Sequence, residues 1–95
     1  MIFEYKLVRV KDVYMGQGAF GLLRAVDYTR LEAFSDKLRA KVDHGSNATV
    51  FEPPVLVHTQ RGLAALSGWD KIEWARKALE PELYAIVAEP DELPA

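Results

Sequence analysis

The stretch Phe3-Glu4-Tyr5-Lys6-Leu7 alternates apolar and charged residues. Because successive side chains of a strand point to opposite faces of a sheet, this period of two predicts a half-buried strand. Valines at positions 8, 10 and 13 are expected to extend it. The turn Gly16-Gln17-Gly18 would then return the chain through residues 19–26, whose apolar composition predicts the second, inner strand of an antiparallel hairpin.

A helix is predicted directly after this hairpin. Thr29-Arg30-Leu31-Glu32 has the form of a capping box, in which the threonine hydroxyl accepts from a first-turn N–H and the glutamate reaches back. Apolar residues then recur at spacings of three, four and four, and we expect this stripe to face the sheet: Leu31, Phe34, Leu38 and Val42. Gly45 is expected to end the helix, since glycine takes the left-handed conformation that helix ends favour.

The second half of the chain predicts a strand, a helix and a last strand. Residues 55–59 are rich in β-branched residues and follow Pro53-Pro54, which indicates an edge or a break in the sheet. The segment 60–66 has two interpretations, a hairpin turn at 60–62 or a short helical turn at 63–66, and we favour the helical turn. A helix is expected from Ser67-Gly68-Trp69-Asp70 to about Leu79, ended by Pro81, and a strand over residues 83–88.

These elements predict one compact α+β domain over residues 1–88. We expect a mainly antiparallel sheet of four or five strands with two helices packed on one face. A ferredoxin-like arrangement is one form that this order of elements allows. Residues 89–95 are expected to form an acidic C-terminal tail.

The composition indicates a small folded protein. The chain has 95 residues, of which 49% are hydrophobic and 27% charged, and this suits one globular domain. It contains no cysteine, so disulfides and thiolate metal sites are excluded and a reducing compartment is suitable. The N-terminal residues lack the apolar run of a signal peptide, and no stretch is apolar enough for a membrane span. We therefore expect a cytoplasmic protein without membrane contact.

The charge balance bears on the choice of partner. The formal net charge is −2 and the sequence pI is about 5.6. Proteins that bind nucleic acid by neutralising phosphates usually carry a clustered basic face and a high pI. We therefore expect no nucleic-acid partner.

Residues 16–21 read Gly16-Gln17-Gly18-Ala19-Phe20-Gly21 and match the pattern G-x-G-x-x-G. A dinucleotide-binding loop of this form opens a helix at its last glycine, whereas the first helix signal here comes only at Thr29. The six residues also resemble the glycine-rich loop of protein kinases, but the H-R-D and D-F-G motifs are absent and 95 residues are too few for a kinase domain. We interpret the motif as a hairpin turn. Ligand binding by Gly16, Gly18 and Gly21 together with His58 is the alternative.

Histidine and serine offer no clear catalytic constellation. His44 and His58 are the only imidazoles, and neither has the neighbouring ligands that a metal site needs. His44 is explained by the helix dipole, which favours a cation near a helix C-terminus. No G-x-S-x-G motif surrounds a serine. We expect no metal, no cofactor and no catalytic residue.

Trp74 is the strongest candidate for a contact with another molecule. In the second predicted helix Ile72, Ala75 and Leu79 form a core stripe, and Trp74 widens the apolar arc to about 160°, beyond the roughly 100° of a simple surface helix. One interpretation packs Trp74 against the protein's own sheet or the Pro53-Pro54 segment. The other makes it an anchor for another protein, with Lys71 and Arg76 nearby, because tryptophan and arginine often dominate such contacts.

The sequence therefore favours a non-catalytic binding module that acts by protein–protein contact, as a regulatory, assembly or inhibitory accessory protein. The partner is another protein or a second copy of the chain in a homodimer. The alternative is a small enzyme or a nucleotide- or ligand-binding domain that uses the 16–21 hairpin.

Overall fold

The computed structural model describes residues 1–14, 21–42 and 53–91. Within these ranges the chain forms five strands and two α-helices, with a short 3₁₀ turn directly after the first strand. In chain order the elements are β1 (Ile2–Arg9), the 3₁₀ turn (Val10–Asp12), β2 (Val13–Tyr14), α1 (Ala25–Val42), β3 (Val55–Thr59), β4 (Gly62–Ser67), α2 (Trp69–Lys77) and β5 (Glu82–Glu89).

The described strands form one sheet in the order β1-β5-β3-β4-β2. Two pairs are antiparallel, β1 with β5 and β3 with β4. The other two pairs, β3 with β5 and β2 with β4, are parallel. The predicted α+β class is confirmed, and the sheet has five strands where four or five were predicted. The sheet is mixed, however, so the all-antiparallel ferredoxin-like arrangement is not formed.

α1 and α2 cover opposite faces of the sheet, which corrects the expectation that both helices pack on one face. Leu56 belongs to the same buried cluster as Ile72 of α2. Its neighbours Val55 and Val57 belong to the second cluster, against which the apolar residues of α1 pack. Because neighbouring side chains of β3 point to opposite faces and all three are apolar, each face of this inner strand needs its own cover.

α1 begins earlier than predicted, and a different residue caps it. Its first residue is Ala25, so the part of the expected second strand at 21–26 that is described contains no strand. The backbone N–H of Arg24 donates to Asp27 Oδ2 over 2.9 Å, which is the reach-back half of a capping box. Thr29, the predicted cap, lies inside the helix, where its hydroxyl donates to the carbonyl of Ala25 over 3.4 Å.

Three of the four residues predicted for the apolar stripe of α1 face the sheet, and the side chain of the fourth, Val42, lies outside the described part of the structure. Leu31, Phe34 and Leu38 are partly buried and pack against the cluster on this face of the sheet. The Phe34 ring lies 6.0 Å from the ring of Phe3, centroid to centroid, in a tilted arrangement. The predicted helix end at Gly45 lies outside the described residues.

Segment 60–66 forms a hairpin, so the favoured prediction of a helical turn is wrong and its alternative is correct. Thr59 pairs with Gly62, which leaves Gln60 and Arg61 as the turn. The buried hydroxyl of Thr59 donates to the Gly62 carbonyl over 3.0 Å and accepts from the Arg61 N–H over 3.2 Å. β4 then lies between β3 and β2, so both of its faces are apolar for the same reason as in β3.

The predicted second helix and last strand are confirmed as α2 and β5. Leu79, however, is not part of the core stripe. α2 ends at Lys77, and Leu79 has the left-handed φ of 57° and is 87% exposed. The chain leaves the helical path before Leu79, so a stripe extrapolated at 100° per residue does not apply to it.

Candidate functional sites: an aromatic groove and a charged cleft

Trp74 lies on the surface of α2 with 64% of its area exposed, so it is not a core residue. It lines a groove of about 410 Å³ that we call the aromatic groove. Its aromatic and proline residues are Tyr5, Pro53, Pro54, Trp74 and Tyr84, and its charged residues are Lys71, Glu80 and Glu82. The groove therefore combines a largely apolar wall with a few charged groups, as binding sites usually do.

A stacked tyrosine pair forms part of the aromatic groove. The rings of Tyr5 and Tyr84 have centroids 5.2 Å apart and an interplanar angle of 19°. They are diagonal neighbours, since Tyr5 pairs with Ile86 and Tyr84 with Leu7 across β1 and β5. Burial, and secondarily the neighbouring phenol of Tyr84, raises the pKa of Tyr5 above its usual 10.0, so the Tyr5 phenol is neutral at physiological pH. Tyr84 is 56% exposed, which leaves much of its ring available for contact.

The structure separates the three residues that the sequence proposed for protein binding. Lys71 and Trp74 line the same groove. Arg76 lies elsewhere on α2, and its guanidinium donates to the backbone carbonyl of Val13 over 2.6 Å. That hydrogen bond holds α2 against β2, so Arg76 has a structural partner within the fold.

The groove residues that sequence reasoning missed come from distant parts of the chain. Tyr5 and Tyr84 are 79 positions apart, and only the β1–β5 pairing brings them together. The prolines before β3 were predicted to mark an edge or a break in the sheet and, in one interpretation, to pack against Trp74; β3 is an inner strand, so the edge is not formed. Pro54 is buried, and its carbonyl accepts from the N–H of Ile86 over 3.0 Å, which places the two prolines beside the start of β5.

Exposed apolar surface continues past the C-terminal end of α2. Leu79 lines a shallow depression with Val10 and Pro81, and Glu80 lines both this depression and the aromatic groove. The left-handed φ of Leu79 belongs to the end of α2, where the N–H of Leu79 donates to the Arg76 carbonyl over 3.2 Å and the N–H of Glu80 to the Ala75 carbonyl over 2.8 Å.

His58 lies in a second depression, which we call the charged cleft, with a volume of about 520 Å³. It is lined by Lys6, Lys11, Asp12, Val13, Tyr14, His58, Arg61, Gly62, Leu63 and Glu89. His58 Nδ1 and Glu89 Oε2 are 2.7 Å apart, and Lys6 Nζ lies 3.6 Å from Glu89 Oε1. Because an ionised carboxylate only accepts hydrogen bonds, Nδ1–H of His58 is the donor to Glu89.

Strand register explains why these three side chains meet. Leu56 pairs with Val87 across β3 and β5, and both belong to the cluster on the α2 face. His58 and Glu89 lie two residues further along the same strands, so they share that face. Lys6 pairs with Ala85, another member of the cluster, and reaches Glu89 from β1.

Of the other residues in the predicted ligand set, only Gly21 lies among the described residues. Gly16, Gly18 and His44 lie outside the described residues. Gly21 is exposed, and it is not among the residues that line the charged cleft. No cluster of three or more potential metal ligands occurs within residues 1–14, 21–42 and 53–91.

Neither a scan against protein-family models nor a search of curated proteins finds a match to this chain. In the described part of the chain, neither helix combines the length and apolar character that crossing a bilayer requires.

Proposed function

We propose that the protein is a non-catalytic binding module that acts by protein–protein contact through the aromatic groove. The observation that carries the proposal is the exposure of Trp74, at 64%, beside the exposed ring of Tyr84 in one groove. Tryptophan is among the most buried residues on average, so its exposure in a small domain suggests cover by another molecule.

The proposed occupant is an extended apolar segment of another protein. Grooves lined by aromatic and proline side chains accept extended segments well, because their rings offer flat apolar surfaces against which a backbone can lie. Two carboxylates, Glu80 and Glu82, and one cation, Lys71, line this groove. That balance favours a segment that carries a basic residue next to its apolar ones.

In biological terms the proposal is a cytoplasmic accessory protein with a regulatory, assembly or inhibitory role. The absence of cysteine from the sequence suits a reducing compartment. Protein–protein contact through the aromatic groove includes a homodimer, in which the groove receives a second copy of the chain.

The test compares Trp74→Ala with Val26→Ala, a control that truncates another exposed apolar residue on a different helix. Loss of a central aromatic anchor commonly costs about 2 kcal/mol or more of binding, or about thirtyfold in Kd. We expect proteins captured from the native cell by wild type and Val26→Ala to be lost with Trp74→Ala, while Tm changes little. Light scattering measures the oligomer mass of the same variants and so distinguishes binding of a second copy of the chain from binding of a different protein.

Two results would contradict the proposal. The first is capture of the same proteins by Trp74→Ala at an undiminished level. The second is a loss of Tm in Trp74→Ala as large as that in Ile72→Ala, since Trp74 would then act as a core residue.

The second candidate function is small-ligand binding, and the pairing of His58 with Glu89 in the charged cleft favours it. A nucleotide held by the 16–21 motif would raise Tm on addition of ATP or NAD, because a ligand that binds only the native state stabilises it.

A further inference from the structure

α2 covers only part of its face of the sheet. Ile72 and Ala75 of α2 pack in the cluster that contains Leu56. His58 and Glu89 lie further along β3 and β5, and the residues that line the charged cleft come from strands and turns, with none from α1 or α2 within the described ranges. This end of the face is therefore open, and its side chains are polar.

Positive charge exceeds negative charge in the charged cleft, although the whole chain has a net charge of −2. Lys6, Lys11 and Arg61 line it, against the carboxylates Asp12 and Glu89. His58 adds an imidazole whose second ring nitrogen is not used in the contact with Glu89.

The carboxylates of the charged cleft are already paired, whereas two of its cations are not. Glu89 contacts His58 and Lys6, and Asp12 Oδ2 lies 3.5 Å from the Nε of Arg9. The side chains of Lys11 and Arg61 form no ion pair within residues 1–14, 21–42 and 53–91. An anion in the cleft would therefore meet cations that have no ion-pair partner to give up within the described part of the chain.

We propose that the charged cleft binds a small organic phosphate. The guanidinium of Arg61 presents a planar fork that matches two phosphate oxygens, and Lys11 supplies a second positive charge. Glu89 holds the ring of His58 through Nδ1, which orients the other ring nitrogen for a third polar contact. This site is separate from the aromatic groove and does not depend on its function.

The size of the cleft favours an organic phosphate over the inorganic ion. Its volume of about 520 Å³ falls in the range of small-molecule sites and exceeds what a bare phosphate fills. Leu63, which packs against the cluster on the α2 face, lines the same cleft and offers apolar surface to an organic group. The phosphate supplies charge recognition, and the organic group supplies buried area.

The experiment is a titration of the full chain with phenyl phosphate at constant ionic strength, followed by amide chemical shifts. We expect saturable shifts for residues 11–14, 58–63 and 89, weaker binding of inorganic phosphate and no saturable binding of phenol. A double variant, Lys11→Gln with Arg61→Gln, should raise Kd about tenfold or more, because charge-assisted hydrogen bonds are lost.

The control is Lys37→Gln, which makes a lysine-to-glutamine change on an exposed position of α1. It should leave Kd within about twofold of wild type, since screened charges outside the cleft contribute little. Circular dichroism melts show whether all variants remain folded, and both cleft substitutions are at exposed positions. Shifts that do not saturate in the millimolar range, equal binding of phenol, or equal weakening by Lys37→Gln would each overturn the proposal.

Discussion

α1 and α2 contrast in length and in burial. α1 has 18 residues, yet the apolar residues of its stripe are only partly buried. α2 has nine residues, and two of them, Ile72 and Ala75, are fully buried, with Ile72 at 0% exposure. Small residues on both sides of this contact, Ala75 on the helix and Ala65 and Ala85 on the sheet, allow a close approach. The comparison shows that the length of a helix does not by itself decide how completely its residues are buried.

The largest expected effect comes from the centre of the α2 contact. Ile72→Ala removes a fully buried side chain and should lower the free energy of unfolding by about 2 to 5 kcal/mol. Urea unfolding monitored by circular dichroism measures this loss. Glu73→Ala, at an exposed position next to it, should stay within about 0.5 kcal/mol of wild type. Equal effects of the two substitutions would show that α2 docks in a different rotation.

The entry to α2 should be nearly as sensitive. Gly68 precedes the helix with a φ of 78°, and a Cβ there would lie 2.6 Å from the Cα of Pro54. Gly68→Ala combines backbone strain with a clash against main chain, so we expect a loss of about 2 kcal/mol or more. Gly21→Ala is the control, because a Cβ at that position meets no described atom within 4 Å. A Tm for Gly68→Ala equal to that of the control would contradict this geometry.

The α1 contact should respond less than the α2 contact. Leu38 is partly buried, so Leu38→Ala should cost about 1 to 2 kcal/mol, below the loss for Ile72→Ala. Lys37→Ala, on the exposed side of the same helix turn, should be nearly silent. Denaturant midpoints of the three variants rank the two contacts. A loss in Leu38→Ala that exceeds the loss in Ile72→Ala would reverse the comparison.

The start of α1 should give the smallest effect, visible as a dependence on pH. The backbone N–H of Arg24, and secondarily its guanidinium, holds the pKa of Asp27 below its usual 3.8, although burial opposes this shift. Because the folded-state pKa is the lower one, the carboxylate stabilises the fold above the unfolded-state pKa. This contribution is lost as pH falls through the folded-state value.

Asp27→Asn should therefore flatten the fall in stability between about pH 5 and pH 3 relative to wild type. Asp36→Asn, on an exposed carboxylate of the same helix, should leave the pH profile close to that of wild type. Thermal melts across this range provide the measurement. An unchanged pH profile in Asp27→Asn would show that the capping contact does not form in solution.

Prediction from sequence succeeded for segments whose secondary structure is determined by their own residues. The strand over 55–59, α2 and β5 were predicted because β-branched runs, helix periodicity and prolines act locally. The start of α1 was missed because Thr29 has the better sequence form of a capping box. The helix instead starts at Ala25, where only the reach-back half of a capping box forms, from Arg24 N–H to Asp27.

In the candidate sites, too, some features follow from the local sequence and others depend on which distant segments pair. The over-wide apolar arc of the second helix had two interpretations, in which Trp74 either packs within the fold or is exposed as an anchor for another protein. Helix periodicity alone could not choose between them. The partners of Trp74 in the aromatic groove depend on the pairing of β1 with β5. His58 was a candidate without a partner, because Glu89 had been predicted to lie in a tail and is the last residue of β5.

The sequence by itself determined the α+β class, the amphipathic stripe of α1, the positions of β3, α2 and β5, and the absence of thiol chemistry, because each depends on local pattern or on composition. Only the tertiary structure decided the strand order, the opposite faces of α1 and α2, and the two candidate sites. These depend on which distant segments pair, and that choice minimises the apolar area exposed by the whole chain, which no single stretch encodes.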